Sequence, residues 1–391
     1  MDIDHPLALL AGLTPAQFMR RHWQKKPLLV RAAIPGFTPL LSRAELLKLA
    51  SNEEVETRLI VKNNDSWQMK HGPFTARNLP ARTRPGWTLL LQAMDSHSSS
   101  IHQLLGQFRF VPDARLDDVM VSLASTGGGV GPHFDSYDVF LLQASGRRRW
   151  QIGRQKDLTL QTGVPLKILQ NFEPEEEFVL DAGDMLYLPP RYAHDGTAVA
   201  MVDTAGKAVD CMTYSIGFRA PVESELAAEL LNKFAEFAQD TEHAPRLYRD
   251  PLQAATSAPA ELPDALVDFA KSAMARAMAD PLGVACALGE IMTAPKASIW
   301  FEEPLEPWIL AEGFGVRLDA KTRMMYDANH VFTNGESYRA KGADATLMRT
   351  LANTRGLTHS ALAKASKGAA ELLSDWHAAG WIHLAQGAFD D

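Results

Sequence analysis

The chain has 391 residues, 46% of them hydrophobic and 22% charged, which is typical of a globular protein with two or three domains. Its formal net charge of −8 disfavours nucleic acid as the main partner, and its two cysteines, Cys211 and Cys286, exclude a disulfide framework and a cysteine-based zinc site. The amino terminus has no secretory signal and no apolar run reaches about 18 residues, so we expect a cytoplasmic protein that does not enter a membrane.

The first 114 residues are predicted to combine short helices with strands. Thr14 before Pro15 indicates the start of a helix, and Ser42 with Glu45 three residues later predicts a capping box for a helix over 43–50. Strand patterns cover 28–31, 56–62, 66–70 and 87–94, and a short helix is expected within 95–108.

Residues 115–219 carry the densest strand signals. Strands are predicted over 118–123, 133–143, 147–152, 178–180, 184–188 and 211–218. The turn at Ser145-Gly146 predicts that 147–152 is the hairpin partner of 133–143, and Pro189-Pro190 places His194 in a loop. Short strands that do not alternate with helices argue for an antiparallel barrel or sandwich.

The pattern changes at Pro221. Apolar residues at helical spacing predict helices over 222–237, 263–279 and 282–293. Beyond them lie strand patterns at 315–318, 324–332 and 381–384, a tight turn at Asn334-Gly335, and helical patterns near 344–354, 358–364 and 368–379. The apolar stripe of the helical segment predicts either packing against the chain's own barrel or a dimer interface. The last segment is typical of a winged helix, and because it has no basic run, a scaffold role fits better than DNA binding.

The stretch Gly127–Asp138 contains the first chemical signal. A glycine-rich turn leads into His133-x-Asp135, and residues two apart on a strand point to the same face. One imidazole and one carboxylate there are two of the three ligands of the facial site that binds Fe(II) in non-haem oxygenases. We expect the third ligand from a later strand, where the turn at Gly183 and the following His194 fit that role. Together these features outweigh the alternative that His133 is a structural histidine.

An oxo-acid that chelates such an iron needs a cation for its far carboxylate. Arg147, Arg148 and Arg149 are three candidates, and strand alternation puts Arg148 on the opposite face from the other two. One of them must enter the barrel if it is the anchor, whereas the others are expected to form a solvated face.

With Gly127–Asp138, the Gly-Arg-Arg-Arg-Trp turn at 146–150 and His194, the chain resembles the bacterial ribosomal oxygenases of the JmjC/cupin class. It is similar to the branch that hydroxylates C3, the β-carbon, of an arginine in large-subunit ribosomal protein sixteen. The resemblance implies an α+β protein with a double-stranded β-helix, or jelly-roll, barrel and N-terminal helices over 1–220. It further implies a helical dimerisation segment over 221–294 and a winged-helix-like domain over 295–391.

The same resemblance implies the cofactors and their ligands. Fe(II) is expected at His133, Asp135 and His194, and 2-oxoglutarate is expected at Arg148 with Ser122 as a second contact. With O2 as the other co-substrate, 2-oxoglutarate is converted to succinate while a substrate C–H bond is hydroxylated.

The resemblance also implies a pocket for the target arginine, in which acceptors are needed because a guanidinium has only donors. It assigns Asp118, Tyr137 and Ser215 to this pocket, and Tyr137 shares the strand parity of the two nearby metal ligands. We expect a homodimer that acts on a basic ribosomal protein and binds neither DNA nor a membrane. An acidic cluster, which either steers such a substrate or is a solvated loop, consists of Glu173, Glu175, Glu176, Glu177 and Asp181.

One departure from the family is the segment Asp195–Asp210, which is longer than expected and could alter the mouth of the pocket. A second interpretation keeps the iron chemistry and changes the target to a histidine or a methylated lysine. Asp118 disfavours it, because a carboxylate suits a cationic guanidinium better than an imidazole. A third is a cupin module that binds metal without turnover, and the acidic balance disfavours a fourth, a DNA-binding regulator.

Overall fold

The computed structural model describes residues 2–64, 66–239, 246–305, 307–308 and 312–386. The chain divides into two compact units, Met1–Ala220 with Ala297–Trp300, and Pro221–Lys296 with Phe301–Asp391. We call them the barrel unit and the C-terminal unit. The three-part division expected from the sequence stays a prediction. Among the described residues, no helix is long and apolar enough to cross a bilayer.

The barrel unit begins with short helices and continues as strands. Its helices are α1 (Pro15–Arg21), α2 (Arg43–Ala50) and α3 (Ser99–Gly106). Its strands are β1 (Leu28–Val30), β2 (Thr57–Asn63), β3 (Ser66–His71), β4 (Trp87–Leu91), β5 (Leu116–Ala124), β6 (Val139–Ser145), β7 (Arg147–Arg154), β8 (Glu176–Leu180), β9 (Met185–Leu188), β10 (Tyr192–Val199) and β11 (Cys211–Phe218). Thr14 caps α1, and the predicted capping box of Ser42 and Glu45 closes the start of α2.

Two antiparallel sheets form the barrel. The larger sheet has the order β1-β9-β6-β11-β5-β4-β2-β3, and the smaller has the order β10-β7-β8. Consecutive strands β6 and β7 lie in different sheets, while β6 pairs with β9 and β11 from later in the chain. This is the connectivity of a jelly roll, so the antiparallel barrel expected from the sequence is confirmed.

The central strands of the larger sheet are buried on both faces. In β6, Phe140 and Leu142 belong to the main core with the N-terminal helices, whereas Val139 and Leu141 belong to a smaller cluster between the two sheets. Because side chains alternate between faces, a central strand covered on both sides needs a continuous apolar run. The inward positions that carry polar side chains instead line the candidate site.

Two predictions about the strands near the histidines are wrong. Strand β6 begins at Val139 instead of at His133, because His133 pairs with β10 and the chain bends before β6 starts. His194 lies within strand β10 instead of in a loop. Arg191, with a φ of +63°, turns the chain after the two prolines and lets a new strand begin at Tyr192.

The predicted hairpin between 133–143 and 147–152 is also wrong. Strand β7 pairs with β10 and β8, and not with β6. Gly146, with a φ of +64°, passes the chain from the larger sheet to the smaller one. Strand β7 is therefore the partner of the strand that carries His194, and the arginines of 147–149 still lie beside a histidine strand.

The C-terminal unit contains a helical part and a mixed part. Its helices are α4 (Glu223–Gln239), α5 (Asp264–Ala277), α6 (Gly283–Thr293), α7 (Gly342–Thr354), α8 (His359–Leu362) and α9 (Lys367–Ala378). Its strands are β12 (Phe314–Leu318), β13 (Met324–Tyr326), β14 (His330–Thr333), β15 (Glu336–Arg339), β16 (Gly356–Leu357) and β17 (Ile382–Gln386). They form the sheets β16-β12-β17 and β13-β14-β15. Buried Leu351, Leu373 and Trp376 join α7 and α9 to the strands in one core.

The strand predicted over 324–332 is two strands, β13 and β14. The Asp327 carboxylate accepts the backbone N–H groups of Asn329 and His330 and closes a turn between them. The predicted turn at Asn334-Gly335 joins β14 to β15, and both residues have positive φ, +50° and +90°, as a type I′ turn requires.

Candidate active site

A cavity of about 330 Å³ lies inside the barrel unit. All eight residues that the sequence assigned to metal, co-substrate and target line this one cavity. Most of the lining alternates along neighbouring strands, as inward-facing positions must. It includes Thr88, Leu90 and Gln92 along β4 and its end, Asp118, Met120 and Ser122 from β5, Thr213, Ser215 and Gly217 from β11, Arg148 and Trp150 from β7, and His133, Asp135, Tyr137 and His194.

His133, Asp135 and His194 form a cluster that could hold a metal ion. Their ligand atoms all lie within 4.8 Å of one another. His194 Nε2 is 3.6 Å from Asp135 Oδ2, and the centroids of the two imidazoles are 4.2 Å apart. Two imidazoles and one carboxylate are the facial donor set that suits Fe(II) and leaves positions open for a chelating co-substrate and O2.

The two histidines are a cross-strand pair. The His133 N–H donates to the His194 carbonyl at 3.0 Å, and the His194 N–H donates to the His133 carbonyl at 2.8 Å. Gly129 lies so close to β10 that an added Cβ would be 2.5 Å from the Gly196 carbonyl oxygen. Because only glycine permits this approach, the glycine-rich stretch brings the two histidines together.

Backbone carbonyls orient both imidazoles. His133 Nδ1 is 2.8 Å from the Gly131 carbonyl oxygen, and His194 Nδ1 is 2.9 Å from that of Tyr192. An N–H at Nδ1 leaves Nε2 as the nitrogen that binds metal. Burial, together with the charge of His133, lowers the pKa of His194 to about 4 despite the opposing Asp135 carboxylate. The His194 ring is therefore neutral near pH 7, as a metal ligand must be.

Arg148 provides a buried positive charge on the cavity wall. Its side chain points inward and is 4% exposed, whereas Arg147 is exposed and pairs with Asp181. Its guanidinium donates to the Gly196 carbonyl at 3.1 Å and to Ser122 Oγ at 3.4 Å, and its Nε has no partner. Within the described part of the chain no carboxylate forms a salt bridge with it. A buried unpaired cation is costly, so this position fits the carboxylate of an anionic ligand such as an oxo-acid.

Asp118, Tyr137 and Ser215 lie on another part of the cavity wall. Burial and the carboxylates of Asp135 and Asp118 raise the pKa of Tyr137, so its hydroxyl stays protonated. A Cβ added at Gly217 would lie 3.9 Å from both Asp118 Oδ1 and Tyr137 Cε2, so the glycine leaves the space beside them open. Carboxylate and hydroxyl oxygens can accept hydrogen bonds from a cationic side chain there. The binding roles of these three residues stay predictions.

Arg58 and Gln92 are among the polar residues lining the same cavity that the sequence interpretation missed. Gln92 Nε2 donates to both carboxylate oxygens of Asp118, and Gln92 Oε1 accepts from Arg58. The sequence feature that could have identified Gln92 as a cavity residue is the alternation of Thr88, Leu90 and Gln92 along β4 and its end. Only the strand order, with β4 between β2 and β5, shows that Gln92 meets Asp118.

The acidic cluster lies on and around β8. Its five residues are exposed, and two of their carboxylates have side-chain partners among the described residues: Asp181 pairs with Arg147 at 2.5 Å, and Glu177 accepts from Gln151 Nε2 at 3.0 Å. The carboxylates of Glu173, Glu175 and Glu176 thus add negative charge to one side of the barrel.

The long segment Asp195–Asp210 begins as strand β10 and ends as a hairpin. Val202 and Ala208 form its bridge, and the Asp210 carboxylate is held by Arg43 at 2.9 Å and Arg82 at 3.1 Å. None of its described residues belongs to the lining of the cavity. The extra length is therefore taken up away from the cavity wall.

Both parts of the chain match known families. Residues 103–226 match the JmjC domain, and residues 276–383 match the ROXA-like winged helix. The chain is 32% identical over 330 residues to the ribosomal protein uL16 3-hydroxylase of Escherichia coli K12, covering 82% of this chain and 84% of that protein. It is 37% identical over 222 residues to a probable ribosomal oxygenase of Haemophilus influenzae, covering 55% and 52%.

A solved structure shares the fold over nearly the whole chain. It is that of YcfD, a ribosomal oxygenase from Escherichia coli, in complex with cobalt and 2-oxoglutarate. The TM-score is 0.76 at 29% identity, over 95% of this chain and 98% of that one. The fold class expected from the sequence, a JmjC-type barrel followed by a winged helix, is therefore confirmed.

Proposed function

The chain belongs to the JmjC-domain ribosomal oxygenases, and on that premise we propose that it hydroxylates C3 of an arginine in ribosomal protein uL16. It is a dioxygenase that depends on Fe(II), 2-oxoglutarate and O2. One observation supports the proposal most strongly. The cavity holds the His133, Asp135 and His194 cluster, a buried arginine without a salt-bridge partner in the described part of the chain, and the Asp118 carboxylate.

An iron ion held in this cavity would let O2, the oxidant, react with 2-oxoglutarate, the two-electron reductant. One oxygen atom of O2 would enter the substrate C–H bond, and the other would enter the succinate that forms from 2-oxoglutarate with loss of CO2. We assign His133, Asp135 and His194 to holding the metal through the two Nε2 atoms and one carboxylate oxygen. Arg148 binds the far carboxylate of 2-oxoglutarate, and Ser122 contributes a hydroxyl beside it.

The target side chain is held by acceptors near the metal cluster. Asp118 carries the negative charge that a guanidinium pairs with, while Tyr137 and Ser215 add hydroxyl oxygens. An imidazole lacks the permanent positive charge that would offset a buried carboxylate. For this reason arginine fits the cavity better than histidine does.

The proposal is tested by incubating the enzyme and a uL16 peptide with Fe(II), 2-oxoglutarate and O2. We expect a mass increase of one oxygen atom, located on the arginine β-carbon by fragmentation and NMR. Peptides with histidine or methyl-lysine in place of the arginine serve as competitors. Succinate formation without a change in the arginine peptide would contradict the target, and absence of succinate would favour a metal-binding module without turnover.

We further propose a homodimer that acts in the cytoplasm, where its ribosomal substrate is made. Helix α5 has no buried residue and α4 has only Phe234, although both are amphipathic. The exposed fraction is 55% for Leu231 and 63% for Met274, and a partner would cover such side chains. Light scattering should give twice the chain mass, and Leu231→Glu with Met274→Glu should give a monomer. A monomeric wild-type protein would contradict this proposal.

A further inference from the structure

Gln92 connects two charged residues on the cavity wall. It follows β4 directly, and its Nε2 donates to Asp118 Oδ1 at 3.1 Å and to Oδ2 at 3.0 Å. Its Oε1 accepts from Arg58 Nη2 at 3.0 Å. All three side chains line the cavity that holds the metal cluster.

The chemistry of the three groups determines which way the amide points. A carboxylate only accepts hydrogen bonds and a guanidinium only donates them, so the NH2 of Gln92 must face Asp118 and its oxygen must face Arg58. Arg58 thereby fixes the amide, and the amide holds both oxygens of a carboxylate that is 4% exposed. A donor on a buried carboxylate also offsets part of its lost hydration.

We propose that Gln92, held by Arg58, is a positioning residue that aims the Asp118 carboxylate at the guanidinium of the target arginine. The inference rests on the proposed function and deepens it, because it names the residues that set specificity for a cationic side chain. Without Gln92 the carboxylate loses the amide donor that contacts both of its oxygens, and its orientation toward the target is less well defined.

The position of Gln92 separates this role from a purely structural one. Gln92 is only partly buried and belongs to none of the hydrophobic clusters of the barrel, so its loss leaves the core intact. Arg58 has a side chain that is 32% exposed and a second, looser partner in Glu56 at 3.8 Å. The side chains of Arg58 and Gln92 therefore face the cavity and are not needed to hold the sheet together.

The experiment compares wild type with Gln92→Met, which keeps the size but removes the hydrogen bonds to Asp118 and Arg58. Gln68→Met, at an exposed glutamine of β3 in the same sheet, is the matched control. We expect Gln92→Met to raise KM for the arginine peptide about tenfold, the effect of a hydrogen bond to a charged group, with kcat nearly unchanged. The dissociation constant of 2-oxoglutarate, measured by calorimetry with Mn(II) and no O2, should not change.

Two further variants and a binding assay complete the test. Gln92→Glu should raise KM more than Gln92→Met, because it sets a second carboxylate against Asp118, and Arg58→Met should raise it less. Binding of the arginine peptide is also measured without turnover, with Mn(II) and 2-oxoglutarate present and O2 excluded. Equal peptide affinity in wild type and Gln92→Met overturns the positioning role alone. A loss of 2-oxoglutarate affinity in Gln92→Met as large as its loss of peptide affinity overturns it as well. A wild-type protein that binds no arginine peptide overturns the proposed function together with it.

Discussion

Asp135 is the residue at the metal cluster whose loss is easiest to interpret. It supplies the single carboxylate of the cluster, 3.6 Å from His194 Nε2, while its backbone carbonyl accepts the Arg191 N–H at 2.7 Å. A substitution of the side chain therefore removes one ligand and keeps the backbone hydrogen bond that shapes the turn.

We predict that Asp135→Ala abolishes turnover and metal binding, and that His133→Ala does the same. Iron content and succinate formation are measured side by side, with Asp157→Asn, at an exposed loop position, as the control. Turnover by either alanine variant would contradict the ligand assignment. The circular dichroism spectrum should match that of wild type, because the substitutions remove ligands and not core side chains.

Gly217 offers a steric test of where the target side chain lies. Its Cβ would sit 3.9 Å from both Asp118 Oδ1 and Tyr137 Cε2, in ordinary contact, so alanine fits the empty cavity without strain. We predict that Gly217→Ala lowers kcat/KM for the arginine peptide about tenfold, since one methyl group takes space from the substrate. The affinity for 2-oxoglutarate should stay unchanged.

Gly106→Ala is the matched control, because nothing lies within 4 Å of its added Cβ. A variant at Gly217 with wild-type kinetics would place the target elsewhere in the cavity. A loss of 2-oxoglutarate affinity would instead show that the methyl group disturbs the part of the cavity that binds 2-oxoglutarate.

At the scale of elements, the alternation of residues was predictable and the partners of the strands were not. Alternation along 147–149 predicted that Arg148 alone faces inward, and the structure has it buried between two more exposed neighbours. Pro189-Pro190 correctly marks the end of a strand but gives no sign that another strand begins two residues later. Strand β10 contains alanine, aspartate and glycine, which are poor strand formers, and it exists because β7 pairs with it along its whole length.

The start of β6 was misplaced for a related reason. Residues around His133 satisfy the strand pattern because they do pair, but with β10 through a single bridge instead of with β11 or β9. The clustering of His133, Asp135 and His194 was predictable, since the type and spacing of these side chains indicate a metal site. Gln92 was not, because its partner Asp118 is 26 residues away and meets it only through the pairing of β4 with β5.

The pairing of the glycine-rich stretch with β10 leads to a prediction about Gly129. An added Cβ would lie 2.5 Å from the Gly196 carbonyl oxygen, so the two segments must separate. We predict that Gly129→Ala costs about 1–3 kcal/mol of stability and weakens metal binding, because His133 and His194 are held at their distance by the same pairing. Thermal unfolding and metal titration measure the two effects.

Gly368→Ala, whose added Cβ would meet only the Ser366 hydroxyl at 3.9 Å, is the control for both measurements. If Gly129→Ala binds metal as wild type does, the glycine is needed for stability alone. The arrangement of the ligands would then have to come from the bends on either side of Asp135.

In the C-terminal unit, Asp319 couples stability to pH. Burial alone would raise the pKa of Asp319, but the hydrogen bond with His383 Nε2 at 2.7 Å and the Lys321 N–H outweigh it and hold the pKa below the ordinary 3.8. Since the folded value is the lower one, this stabilisation is present above about pH 4 and is lost as the pH falls through the folded value.

We therefore predict that the Tm of Asp319→Asn is lower than that of wild type at pH 6, and that the two values converge below about pH 4. Thermal unfolding of the full chain across this range measures the difference between them. A difference that stays constant with pH would show that the lost hydrogen bonds, and not the charge of Asp319, stabilise the unit.

On the scale of the whole molecule, the distribution of charge leads to a prediction about how the protein meets its proposed substrate. The formal net charge is −8, and the exposed carboxylates around β8 form an acidic patch on the surface of the barrel unit. Ribosomal proteins bind RNA and are basic as a class, so the two surfaces attract each other over distances set by the ionic strength. We therefore expect the cavity to select the side chain and the acidic surface to raise the rate of encounter.

Salt separates these two contributions. Raising the ionic strength from about 0.1 M to about 1 M shortens the Debye length from about 10 Å to about 3 Å. We predict that KM for intact uL16 rises strongly over this range, whereas KM for a short peptide without basic flanks changes little, because only the intact protein reaches the surface charges.

Glu175→Gln with Glu176→Gln should reduce the salt dependence for intact uL16 and leave the peptide kinetics as they are. Equal salt dependence for protein and peptide would mean that the cavity alone recognises the substrate, and that the acidic cluster is a solvated loop.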